Sequence, residues 1–261
     1  MKKELINKIK LTPRLQVIAD MVRKSAVTAD IGCDHGLVCA YLLQNNITDK
    51  IIAADINLKP LNSARKTLQS VITGNTTNEF IACNKNNEKQ TIKNDKMTAE
   101  TLLTDGLNGI QKADDIIIAG VGGELIIKII GDALNKIDFR GNLITPDVRL
   151  ILQPMTHTPD LRHWLFKNGF NITNETAVVE KNQVYIIIQA EKPLNHVNTA
   201  NNETLIYGGL TAQKTDKASL LYAEKNKKRL LKIINSKNEK ADYYNKILEK
   251  LMLLPAYEIR Q

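Results

Sequence analysis

V-T-A-D-I-G-C-D-H-G-L-V-C-A-Y-L-L, running from Val27 to Leu43, decides the fold. A short β-leaning run ends in Asp30, bends through Gly32 and Gly36, and continues as an apolar segment of helical period. Strand, glycine turn and helix in that order form the nucleoside-holding unit of a Rossmann-like sheet. Gly32 permits a sharp turn, and Gly36 lets the helix begin close to the strand. The spacing departs from G-x-G-x-x-G, because Asp34 stands where a dinucleotide enzyme needs its second glycine. A carboxylate there repels a pyrophosphate and tolerates a cationic ligand. The substitution therefore shifts the reading from a dinucleotide toward S-adenosylmethionine, which carries a sulfonium and no phosphates.

Upstream, Thr12-Pro13-Arg14 predicts a helix to about Lys24, with Thr12 as its cap and Arg14 suited equally to reaching a ligand and to a solvated first turn. Downstream, K-I-I-A-A-D is a second buried strand ending in Asp55. Asp55 lies 23 positions after Gly32, near the ~20-residue spacing of a ribose-binding acid. A helix through about Val71 follows. Residues 74–96 are rich in Asn, Lys, Thr and Glu, and read as an exposed loop with one strand or edge hairpin. T-L-L-T-D-G-L predicts a strand ending at Asp105-Gly106, where the acid suits an adenine amine and equally an ordinary turn.

D-D-I-I-I-A-G-V-G-G-E is a β-branched strand, then a bend through Gly120, Gly122 and Gly123 that admits a flat ligand, then a helix to Asn135. R-L-I-L-Q-P-M ends another strand at Gln153-Pro154, with Gln153 placed for a base edge. A helix over about 158–168 and two strands meeting across 181–183 complete the pattern. A closing hairpin of this kind finishes a seven-stranded methyltransferase sheet, whereas dinucleotide folds continue with parallel βα units.

The chain of 261 residues has room for one α/β domain and a smaller appendage. No apolar run approaches the ~20 residues of a membrane span, and the N-terminus lacks the apolar core of a signal peptide. Cys33, Cys39 and Cys83 show no paired spacing and suit a reduced, cytoplasmic protein. The four histidines lack metal-ligand spacing, so no metal is expected. The net charge is +8, and the segment from Leu194 to Gln261 carries 12 basic against 7 acidic residues. After a polar linker (193–202), two helical patterns at about 216–235 and 239–254 predict a coiled-coil-like hairpin. Lys225, Lys227, Lys228 and Arg229 cluster on its first helix without interleaved acids, which suits phosphate contact.

In combination, D-I-G-C-D-H-G, Asp55, T-D-G-L, I-A-G-V-G-G and L-Q-P-M, with a basic helical hairpin behind them, resemble the bacterial tRNA (adenine-22-N1)-methyltransferase family. The resemblance spans nearly the whole chain. It departs from the family in an inserted polar segment around 84–99 and in aspartate, where glutamate is expected, at position 55.

The resemblance implies a Rossmann-like, seven-stranded S-adenosylmethionine-binding domain over 1–193 and a helical tRNA-binding appendage over 203–261. By position, Arg14, Asp30, Gly32, Asp55, Ile56, Asp105, Gly106 and Gly120 would hold the donor. Asp34 and Gln153 would be catalytic. His35, Gly122 and Pro154 would meet the base, and the Lys225–Arg229 cluster the tRNA phosphates. No obligate protein partner is implied. The residues by themselves leave open a methyltransferase of another RNA or of a small molecule, and a non-catalytic RNA-binding protein.

Overall fold

β1 (Thr28–Ile31) is buried along its whole length, as a small, β-branched run in the middle of a sheet must be. The computed structural model describes residues 8–73, 80–83, 88–135, 143–193, 202–236 and 239–258. On one side β1 pairs in parallel with β2 (Lys50–Asp55), and beyond it lies β5 (Thr98–Leu103). On the other side come β6 (Asp115–Val121) and β7 (Arg149–Pro154), also parallel. β9 (Gln183–Glu191) then runs antiparallel between β7 and the edge strand β8 (Asn171–Glu180). These are the seven strands expected, and the closing hairpin turns at Lys181-Asn182, both at positive φ.

Two further strands make the sheet nine-stranded among the described residues. β3 (Phe80–Cys83) and β4 (Lys89–Lys93) extend it antiparallel from the free edge of β5, so the polar stretch 74–96 contains an edge hairpin. Ile92 and Ala99 point into the core while their neighbours stay partly exposed, the period-2 pattern of an edge with one wet face. β5 stops at Leu103, before the Asp105-Gly106 terminus read from the sequence.

Helices α1 (Pro13–Asp20), α2 (Leu37–Gln44) and α3 (Leu58–Thr73) cover one face of the sheet, where their apolar sides meet Ile51, Ile117 and Ile187. α4 (Gly123–Asn135) and α5 (Thr158–Lys167) cover the other. α1 is shorter than its pattern predicts. Thr12 does not cap it, because its hydroxyl bonds to Glu180 on β8.

The helical segment differs most from expectation. A short helix α6 (Glu203–Gly208) and a 3-10 turn (Leu210–Gln213) precede α7 (Lys217–Asn235) and α8 (Ala241–Met252). α7 and α8 share a core of Ala223, Leu230, Ile247 and Leu251, while Leu220, on the first turn of α7, is exposed. The assembly is fastened to the sheet by Arg162 of α5. Its guanidinium donates to both carboxylate oxygens of Glu175 on β8 (2.9 and 3.0 Å), to the Ile206 carbonyl (3.0 Å) and to the Tyr222 hydroxyl (3.2 Å). Gly209, at φ +69°, passes so close that a β-carbon would strike both members of the pair. Most of the linker read at 193–202 lies outside the described residues, as do Cys83's side chain and His196.

Candidate functional site

The strand-end acids, the glycine turns and Arg14 meet at the carboxyl ends of β1, β2 and β6. Gly32 (φ +75°) donates its N–H to the Ala54 carbonyl at 2.8 Å, tying the turn after β1 to the end of β2. A β-carbon on Gly32 would meet nothing within 4 Å, so the left-handed backbone is what requires glycine there. Gly36 has a different duty: a β-carbon there would lie only 3.0 Å from that of Ala64 on α3.

Asp30 and Asp55 are both buried. Asp30 accepts a hydrogen bond from the Cys39 thiol (3.3 Å), and Asp55 accepts from the backbone N–H groups of Asn57 (2.8 Å) and Asp34 (3.4 Å). No lysine or arginine among the described residues forms an ion pair with either. Burial pushes the Asp30 carboxyl up to about 6, and the nearby charges of Asp55 and Asp34 add to that rise. Burial also raises the Cys33 and Cys39 thiols, with Asp30 next in effect, so neither is a ready thiolate.

Asp34 stands on the rim in a left-handed conformation (φ +49°), its side chain 70% exposed and 3.7 Å from the equally open His35. Ile56, 61% exposed, presents an apolar surface just past Asp55. Thr104 continues the β2 pairing by donating to the Asp55 carbonyl, which brings exposed Asp105 and the Gly106 turn (φ +60°) alongside.

Gln153 is not placed to read a base. Its side chain is fully buried at the end of β7. The Oε1 atom accepts from Arg14 Nη1 (2.5 Å) and from the Gly120 N–H (3.1 Å), while Nε2 donates to the Pro154 carbonyl (3.0 Å). It is a positioning residue that seats Arg14 against the bend. Gly120 (φ +78°) faces that arginine, whose Nη1 would lie 3.7 Å from a β-carbon there.

Gly123 is buried and packed against the β7–α5 turn, and Gly122 beside it stays partly exposed. A β-carbon would press on the Thr156 hydroxyl at Gly122 and on the Thr156 and His157 carbonyls at Gly123. Pro154, opposite Val121, is buried in the same junction.

Two residues that the sequence did not single out complete the hold on Arg14. Glu180 accepts from its backbone N–H at 3.0 Å, and the Tyr185 ring lies 5.3 Å from its guanidinium. Although desolvation acts to raise it, Glu180 is held below the usual carboxylate range by bonds from Thr12 and Arg14. Glu180 lies 166 positions from Arg14, and no local signal connects them.

The basic cluster divides around α7. Lys225 and Arg229, four residues apart, face a cleft beside Pro154 and Tyr185. Lys227 lines another groove with Pro255 and Tyr257, and Lys228 pairs at 2.5 Å with Glu224, the acid just before the cluster. Among the described residues, no group of three or more His, Cys, Asp or Glu side chains is arranged to hold a metal, and no helix is long and apolar enough to cross a membrane.

Parallel strands with one antiparallel strand set inside the final edge, and two buried acids without cations at adjoining strand ends, define a Rossmann-like methyltransferase. A general methyltransferase-domain family matches residues 11–82. The chain belongs to the tRNA (adenine(22)-N(1))-methyltransferase family, whose sequence model matches residues 85–254.

It is 31% identical over 188 residues to the tRNA (adenine(22)-N(1))-methyltransferase of Bacillus subtilis (strain 168), covering 71% of this chain and 67% of that one. The crystal structure of the B. subtilis m1A22 tRNA methyltransferase TrmK superposes with a TM-score of 0.66 at 25% identity, over 93% of this chain and 94% of that one. M. capricolum TrmK, solved in complex with S-adenosyl-homocysteine, gives a TM-score of 0.65 at 25% identity, over 92% and 94%.

Proposed function

We propose that this chain transfers a methyl group from S-adenosylmethionine to N1 of adenine 22 in tRNA, acting in the cytoplasm. The observation that carries the chemistry is the pair of buried strand-end acids without a protein cation, beside a turn where Asp34 disfavours phosphate. Residues 1–193 would form the donor-binding unit and 203–261 the tRNA-binding one. S-adenosylmethionine supplies an electrophilic methyl on a sulfonium.

Asp55 suits the ribose hydroxyls, because one carboxylate can accept from both. Ile56 and Asp105 suit the adenine of the donor, one by apolar contact and the other by accepting from its amine. Asp30 and the Gly32 and Gly106 turns shape the floor. Arg14, seated by Gln153 and Glu180 against Gly120, is the cation available for the donor's carboxylate.

Adenine N1 has an in-plane lone pair, so no strong base is needed and alignment carries most of the burden. Asp34, open on the rim, would accept a hydrogen bond from the target's exocyclic amine and stabilise the positive charge that methylation creates. His35 would orient the base. The target must leave its stack in the folded tRNA before it can reach this crevice.

Incubation with unmodified tRNA and labelled donor, followed by mass mapping, is expected to show 1-methyladenosine at position 22. Its absence across a broad tRNA set overturns the proposal. Asp34→Ala is expected to lower turnover by about 10²–10³-fold, the scale of losing one electrostatic contact to the transition state. Calorimetry should find its donor affinity little changed, and normal turnover would remove Asp34 from the reaction.

A further inference from the structure

A cleft of about 270 Å³ opens where the β7–α5 turn, the β8–β9 hairpin and α7 converge. Its wall includes Pro154, next to the glycine bend, and Tyr185, whose ring packs on Arg14. The cleft therefore backs directly onto the donor crevice. At its other end Tyr222 is held by its hydroxyl, which accepts from Arg162, with the guanidinium carbon 5.7 Å from the ring centre. Two aromatic rings are thus positioned by separate arginines.

No lining side chain is acidic. Of the nearby acids, Glu224 is engaged by Lys228 and Glu180 by Arg14, while Asp160 and Glu124 lie against His157 on the far wall from α7. Lys225 and Arg229 both line the cleft and are exposed. Arg229 has no ion-pair partner among the described residues, and Lys225 makes only a long bond (3.4 Å) to the Val184 carbonyl.

Resting on the tRNA reading above, we propose that this cleft is a second nucleotide subsite. It would seat a nucleotide flanking the target adenine, with the base against Tyr185 or Tyr222 and the phosphate on Lys225 and Arg229. Sequence-tolerant stacking combined with fixed cations is how proteins hold an unpaired nucleotide without reading its identity. A flanking nucleotide gripped here would help to keep the target out of its stack. Only half of the basic run takes part, because Lys227 and Lys228 project elsewhere on α7.

Phosphorothioate interference on bound tRNA tests this without requiring turnover. Wild-type protein is expected to show interference at one or two phosphates adjoining nucleotide 22. A Lys225→Ala/Arg229→Ala double variant should lose that interference. It should also bind tRNA about tenfold more weakly and show a log K versus log salt slope smaller by about two. Its donor binding by calorimetry should be unchanged, and Lys227→Ala should keep the interference next to nucleotide 22.

Unchanged interference next to nucleotide 22 in the double variant would overturn the subsite, as would an equal loss with Lys227→Ala. A failure of adenine-22 methylation by wild type would instead strike the proposed function, leaving the binding result to be scored independently.

Discussion

Arg162 and Glu175 close on each other with every neighbour supplied, whereas Asp30 and Asp55 are buried as acids with no base to meet them. Both sites take charge out of water, yet they end in opposite states. In the first, a bidentate pair at 0% exposure is completed by the Ile206 carbonyl and the Tyr222 and Thr211 hydroxyls. Nothing is left to bind, so the site works as a fastener between the sheet and α6–α7. In the second, the carboxylates accept only from a thiol and backbone N–H groups, and burial lifts Asp30 to about 6. A low-dielectric acid without its own cation suits a ligand that brings polar hydrogens and positive charge. The first site is compensated within the protein, and the second has no cation of its own among the described residues.

The strongest challenge to that contrast is Arg162→Met, which leaves Glu175 buried alone. Urea unfolding is expected to show a loss of about 3–5 kcal/mol. Combining it with Glu175→Leu should recover most of that loss, since neither charge is then stranded. A single-variant cost below about 1 kcal/mol would mean that the pair is no fastener.

Next in size is Asp30→Asn in the free protein. The folded pKa of Asp30, about 6, lies above its ordinary 3.8, so the fold favours the protonated acid. Its contribution to stability is full below about pH 4 and is lost as pH rises through 6. The amide variant lacks that decline. Its stability difference between pH 4 and pH 7 should therefore differ from that of wild type by roughly 2–3 kcal/mol, in favour of the variant at pH 7. Identical pH curves would place Asp30 among ordinary, solvated acids.

The smallest effect expected is that of Asp55→Asn on donor affinity. An amide can still accept hydrogen bonds but without full charge, so calorimetry should show a loss of about tenfold with the melting temperature preserved. Undiminished affinity would take Asp55 out of the donor site.

Features encoded over a few adjacent residues were legible in advance. The 27–43 strand-turn-helix, the acid at 55 and the closing hairpin each rest on a local rule: apolar period, a turn that needs positive φ, or a short spacing. Roles that depend on distant partners were not. Gln153 has the chemistry of a base reader, yet Arg14, 139 positions away, and Gly120 consume its acceptor. Gly123 looks like room for a ligand, but the carbonyls of the β7–α5 turn occupy that approach. A run of four basic residues gives no sign that helical geometry sends Lys225 and Arg229 one way and Lys227 another.

The sequence by itself determined where the core strands fall along the chain, the glycine turns and the acids at the ends of β1 and β2, because backbone stereochemistry and side-chain period act between near neighbours. Only the tertiary structure decided which charges are satisfied. Arg162 is enclosed by Glu175, Ile206, Tyr222 and the passing Gly209, which lie 13 to 60 positions away along the chain. Whether a buried charge is closed or left for a ligand depends on groups that the chain brings together from far apart, and no local pattern specifies that meeting.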